Sequence, residues 1–215
     1  MENIILGVLL LASVVGLTFI VERGLALRAS KVIPESVEGA LETFRTAADL
    51  PMLRRICEQN PSTLSRLLLM AEKHRNWSKA ENSSGLETFA RQEISKLERG
   101  LVILEIVVGI APLLGLVGTI YGLIALFGEL GAAGLGDNNR LAQGIAIALN
   151  ATLLGLITAI PSLVAWSYYN KKVESHAVKL ASLCDGFLRQ LYHAADAPDA
   201  PDAPEREEAP AARRR

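Results

Sequence analysis

The chain has 215 residues, half of them hydrophobic and 21% charged, with a formal net charge of −1 and two cysteines. The net charge itself says nothing of a nucleic-acid partner, but no basic face with interleaved aromatics appears, and two isolated cysteines make no disulfide framework or metal signature. Apolar and charged residues are segregated along the chain, which excludes an ordinary mixed soluble sequence and points to a bilayer.

The first element is the apolar run from Ile4 to Val21. Met1-Glu2-Asn3 lacks a basic segment, the run is long for a signal peptide, and Glu22-Arg23-Gly24-Leu25 offers no clear small-residue cleavage site. It is read as a retained transmembrane helix over 1–22.

A polar insert over 23–85 follows and is read as helical. Asp49-Leu50-Pro51 and Asn60-Pro61-Ser62 are breaks, with Asn60 the expected N-cap and Pro61 the first helical residue. Leu53, Ile56 and Cys57 have helical spacing, as do Leu64, Leu67, Leu68 and Ala71. Glu81-Asn82-Ser83-Ser84-Gly85 reads as a turn.

From Leu86 the residues Ala90, Ile94, Leu97, Leu101 and Leu104 hold one apolar stripe that enters a second apolar run, Ile106 to Phe127. One continuous helix over 86–128 is expected, roughly 60 Å long at 1.5 Å per residue. Its centre is Ala111-Pro112-Leu113-Leu114-Gly115-Leu116-Val117-Gly118-Thr119-Ile120-Tyr121-Gly122. Small residues let helices approach closely in lipid. Proline frees a carbonyl that protein or water must satisfy. This helix therefore belongs in a bundle, with Pro112, Gly115, Gly118 and Gly122 packing and Thr119 on the same small face. Glu105 is the only ionisable residue near a span interior. It reads either as an interfacial residue or as the mouth of a pathway.

A short loop over 129–140 leads to a third span over 141–169, whose apolar run is Ile145 to Trp166. Gly144, Ala148, Thr152, Gly155 and Ala159 recur on one helix face made of small residues and one hydroxyl. Asn150 points to the other side, where an inter-subunit hydrogen bond is its expected use. Each threonine has two readings: a back-bond to the carbonyl four residues earlier, or a hydroxyl offered to a cavity. The helix is expected to continue over 170–193 through Val173, Val178, Leu180, Leu183, Phe187 and Leu191. The tail over 194–215 repeats Asp-Ala-Pro three times and ends in Arg213-Arg214-Arg215. It reads as extended or disordered and solvated.

Lysine and arginine flank the spans unevenly. Arg23, Arg28 and Lys31 follow the first, Arg91, Lys96 and Arg99 precede the second, and Lys171 and Lys172 follow the third. The segment between spans two and three has only Arg140 against Glu129 and Asp137. The N-terminus and that loop are thus expected outside, with the insert and tail in the cytoplasm. Trp166, Tyr168 and Tyr169 fit the inner aromatic belt. The fold class is an all-α integral membrane protein with long cytoplasmic helical extensions. No nucleophile–base pair, metal cluster or phosphate loop stands out, so neither enzyme activity nor a cofactor is expected. Proton conduction normally needs an intramembrane carboxylate, and the spans offer no convincing one; a partner would have to bring it.

The motifs from Ala111 to Gly122 and from Gly144 to Pro161 resemble the ExbB/TolQ/MotA proton-channel family, its ExbB/TolQ branch in particular. The resemblance covers both spans, the three-span topology and the long insert, but not the tail. It implies a bacterial inner-membrane pentamer whose second and third spans line a pore, with Pro161 among the packing residues. The pore would hold a dimer of single-span ExbD/TolR-like partners, each carrying a membrane aspartate. Proton flow would turn the assembly and drive a TonB- or TolA-like envelope protein. Thr119 and Thr152 match the family's pore-facing threonines. Ile147 stands where many members have a glutamate, which leaves room for gliding or other envelope motors. A passive membrane scaffold that gathers partners without conducting ions is the competing class.

Overall fold

The computed structural model describes residues 2–133 and 138–196, and every regular element among them is a helix. In chain order these are α1 (Glu2–Ala26), α2 (Ala29–Val32), α3 (Glu35–Thr43), a 3₁₀ turn (Ala47–Asp49), α4 (Leu50–Gln59), α5 (Thr63–Lys73), α6 (Lys79–Glu98), α7 (Leu101–Ala133) and α8 (Asn138–Asp196). Three of them carry stretches long and apolar enough to cross a membrane: Ile4–Ala26, Leu101–Gly128 and Leu141–His193. The last is far longer than the ~20 residues a bilayer needs, so α8 also projects beyond it.

The spans pack as a three-helix unit. Leu9 of α1, Val107 and Ala111 of α7 and Ala159 of α8 form one buried cluster. Nearer the insert, Leu27, Leu101, Leu104 and Val173 form another. The α1–α8 contact is set by glycines opposite hydroxyls. A Cβ on Gly16 would lie 3.0 Å from Ser162 Oγ, and one on Gly24 would lie 2.9 Å from the Tyr169 hydroxyl. That hydroxyl donates to the Ile20 carbonyl at 2.8 Å, so Tyr169 clamps α8 to α1.

The extramembrane helices bury a separate core around Phe44, Leu53, Leu64, Leu67, Leu180 and Phe187. The rings of Phe44 and Phe187 lie 5.4 Å apart, joining the insert to the end of α8. Val178, expected on the buried stripe of α8, is instead 68% exposed. It lies five residues from Val173, about 140° round the helix, and Cys184 and Leu188 take the buried positions.

Three local expectations are corrected. First, Ser62 and not Asn60 caps α5: its side chain accepts from the Ser65 backbone N–H, while Asn60 ends α4 and its Nδ2 donates to the Ile56 carbonyl. Second, residues 81–85 are helical. Ser78 and Glu81 form a reciprocal capping box that starts α6 early, and buried Asn82 then donates to the Ala71 carbonyl at 2.9 Å and to the Tyr192 hydroxyl at 3.0 Å. Third, the stalk is not one helix. It breaks at Arg99-Gly100, where the Arg23 side chain lies directly over Gly100 and Nη1 donates to the Leu97 carbonyl at 3.0 Å. That carbonyl is the one Leu101 N–H would take in an unbroken helix. The expected loop is shorter than predicted, since α7 runs to Ala133 and α8 starts at Asn138. The tail expectation falls outside the described residues beyond Asp196.

One buried carboxylate ties α5 to α6. The Glu93 side chain is fully buried, with Arg66 and Lys96 each within 2.5 Å. Burial works to raise its pKa, but the hydrogen bonds from Lys96 and Arg66 prevail and hold it below the ordinary 4.5. A lowered carboxylate contributes its full stability above that ordinary value and loses it as pH falls through the folded one. Glu93→Gln is therefore expected to cost about 1–2 kcal/mol at neutral pH, less than a fully buried pair because both cations reach water. Acid-unfolding curves of the insert should lose part of their steepness below pH ~4.5 in this variant; unchanged curves would remove Glu93 from the stability account.

Candidate functional site

The small-residue faces predicted on the second and third spans meet each other. A Cβ on Gly115 would stand 2.9 Å from both the Ala151 carbonyl and Thr152 Cα. One on Gly155 would stand 2.6 Å from the Ala111 carbonyl, and one on Gly118 would stand 2.7 Å from Ala151 Cβ. Gly122 sits over Ala148 in the same way, and Gly144 sits over the Leu126 side chain. The two helices thus stay in close approach from Ala111 to Gly122 of α7, about 16 Å of its length, which only residues without side-chain bulk allow. Ala111 and Ala151 face the glycines in this contact and were not singled out as packing residues from the sequence. Their spacing from Gly115 and Gly155, four residues each, was the available signal.

Thr119 and Thr152 are brought together at this seam. Their hydroxyl oxygens are in direct hydrogen-bond contact. Thr119 Oγ1 also lies 3.2 Å from the Gly115 carbonyl, its own back-bond, and 3.2 Å from the Ala148 carbonyl across the seam. Thr152 Oγ1 lies 3.1 Å from the same Gly115 carbonyl. Both side chains are half-buried.

Four contacts compete for two hydroxyl protons. If both protons went to carbonyls, the two oxygens would face each other with no hydrogen between them. One hydroxyl therefore donates to the other, and the second donates to a carbonyl. Two senses are available: Thr119 to Thr152 to the Gly115 carbonyl, or Thr152 to Thr119 to the Gly115 or Ala148 carbonyl. Rotating the two hydroxyls interconverts them. The pair can thus accept from a carboxylic acid through a free lone pair, or swing one proton off its carbonyl and donate it to a carboxylate, without itself becoming charged.

The other residues singled out from the sequence are not part of this pair. Ile147 is 49% exposed and lines a cavity of about 180 Å³ between α1, α7 and α8, with Ile5, Gly118, Tyr121, Gly122 and Ala151. Asn150 is exposed, on the face of α8 turned away from Ala148 and Ala151, and Pro161 is exposed near that face too. Glu105 is exposed one turn into α7, with no hydrogen bond or ion pair to a described residue. Pro112 is half-buried. Among the described residues no three His, Cys, Asp or Glu side chains gather as a metal site. Thr158 and Ser162, which the sequence reading passed over, are buried in α8 and donate to the Leu154 and Thr158 carbonyls at 3.0 and 2.9 Å. Each makes only the i−4 back-bond of a helical hydroxyl, which Thr119 also makes but adds to its contacts across the seam.

A model of the MotA/TolQ/ExbB proton channel family matches residues 58–182. The putative biopolymer transport protein ExbB-like 1 of Synechocystis sp. is 33% identical over 173 residues, which cover 76% of this chain and 66% of that protein. The putative biopolymer transport protein ExbB homolog of Methanothermobacter thermautotrophicus is 33% identical over 157 residues, 71% of this chain and 54% of its own. The Tol-Pal system protein TolQ of Pseudomonas aeruginosa is 29% identical over 211 residues, 90% of each. The chain thus spans just under two thirds and about half of the first two relatives' length, and nearly all of the TolQ protein.

Proposed function

The chain belongs to the MotA/TolQ/ExbB proton channel family, and from that premise we propose that it is the multi-pass subunit of a proton-driven motor in a bacterial inner membrane. The reading assembles it as a pentamer with the N-terminus outside and α7 and α8 around a central pore. A single-span ExbD/TolR-like dimer occupies the pore, and its membrane aspartate exchanges protons beside Thr119 and Thr152. The work is passed to a TonB- or TolA-like protein, or to another envelope machine. Lipid surrounds the pentamer, and Asn150, turned away from the chain's own packing face, meets the neighbouring subunit.

The observation that carries this reading is the reversible hydroxyl pair on a seam of glycines and alanines. A partner aspartate needs a neighbour that accepts from its acid and donates to its anion, and these two hydroxyls do both. The scaffold alternative draws on Ile147, which leaves no fixed carboxylate at that level. Proteoliposomes holding the chain with its co-purifying single-span partner distinguish the two. An imposed pH gradient should collapse faster than in empty vesicles if the complex conducts, and at the empty-vesicle rate if it is a scaffold.

Topology is tested separately by cysteine labelling in a background without native cysteines. Cys57 itself is a poor reporter: it is buried, and burial pushes its thiol up to about 11. Met52, 68% exposed, is a better site in the insert. Gly134→Cys is expected to react in intact cells and Met52→Cys only after permeabilisation. The reverse pattern would invert the orientation argued from lysine and arginine.

A further inference from the structure

We infer that Glu105 is the inner proton-accepting group of the pathway, taking up protons that leave the hydroxyl pair and releasing them to the cytoplasm. The inference rests on the motor reading above and extends it to a residue outside the seam.

Glu105 is the sole charged side chain between Leu101 and Gly128. Its neighbours Leu104 and Val107 are buried against α1 and α8, while Glu105 is exposed. It makes no ion pair or hydrogen bond with a described residue. A carboxylate on a membrane-spanning helix is costly unless it meets protein or a water-filled space. Among the described residues no Lys or Arg, the usual partners, reaches it.

Its place on α7 says which space. Glu105, Pro112 and Thr119 stand seven residues apart. At about 100° per residue they fall within roughly 40° of one another, on a line about 21 Å long. Midway, Pro112 has no N–H, so the Val108 carbonyl loses its helical donor. No described side chain replaces it. That carbonyl is a fixed anchor for water on the same line. The order along the face is therefore hydroxyl pair, Val108 carbonyl, Glu105 carboxylate. Water between these anchors carries a proton inward. A hydronium gives its proton to a Glu105 carboxylate oxygen, and the resulting acid gives it to bulk water, so no other reagent is consumed.

The test uses proteoliposomes loaded with pyranine and holding the assembled complex. Glu105→Gln keeps size and polarity but cannot exchange a proton, and flux is expected to fall about tenfold. Glu105→Asp should restore most of it. Glu105→Lys still reaches the interface as a polar anchor, yet should stay as low as Glu105→Gln. Wild-type flux in Glu105→Gln, or rescue by Glu105→Lys, would make Glu105 a membrane-interface anchor and overturn the inference while leaving the motor reading intact. Absence of flux in the wild-type complex would overturn both. Oligomer size on gel filtration confirms that each variant is assembled.

Discussion

Replacing both Thr119 and Thr152 by valine is expected to abolish force-dependent work while leaving the chain inserted and bound to its partner. Valine matches threonine in shape, so the seam between α7 and α8 keeps its packing. The hydrogen bonds lost are modest in stability: interhelical polar contacts in membranes average about 0.6 kcal/mol. Each carbonyl that accepts from the pair, at Gly115 and Ala148, sits inside a helix. What disappears is the group that can both donate and accept beside the partner aspartate. Loss of positioned acid–base help typically costs 10²–10⁴-fold in rate, so a fall of at least about 100-fold in proton flux is expected. The single variants should each lose the relay as well. Thr119→Val leaves Thr152 bonded to the Gly115 carbonyl, and Thr152→Val leaves Thr119 with the Gly115 and Ala148 carbonyls, so neither retains the reversible chain. Full flux in the double variant, with normal partner pull-down, would sink the relay and favour the scaffold.

How much of this was legible in the sequence follows from length scale. The spans were readable because hydrocarbon thickness imposes about twenty apolar residues with almost no charge, and the observed helices contain all three runs. The glycine and alanine faces were readable because helical period maps spacing onto direction, and those faces do meet. The Arg99-Gly100 break was not readable. There the Arg23 side chain, 74 residues earlier, lies over Gly100 and takes the Leu97 carbonyl, and no local pattern encodes that contact. The start of α6 was available in Ser78-Lys79-Ala80-Glu81, a capping-box sequence, but the polar run after it outweighed the signal. Asn82 looked like a turn residue because its partners, Ala71 and Tyr192, lie on other helices. At the site, the two threonines were placed on matching faces, but their direct contact depends on how the helices slide along each other. Spacing within one helix says nothing about that register.

The register itself gives Gly155 the tightest backbone contact of any described glycine. Alanine is the better helix former by about 1 kcal/mol, so a glycine on a lipid-facing surface should tolerate the change or gain from it. Gly7 tests this, because nothing lies within 4 Å of where its Cβ would be. At Gly155 the new methyl would stand 2.6 Å from the Ala111 carbonyl and close to Gly115 Cα. Both obstacles are backbone, so no side chain can swing aside. The helices must separate or slide, at a cost of about 1–3 kcal/mol for overpacking, which exceeds the gain in propensity. Sliding also pulls Thr152 from Thr119, since Thr152 lies less than one turn from Gly155. Gly155→Ala is therefore expected to lower both the thermal stability of the purified oligomer and its proton flux, whereas Gly7→Ala changes neither. Equal melting and equal flux for the two variants would show that the seam is looser than these distances require, and the close approach of α7 to α8 would no longer account for the way the hydroxyl pair is held.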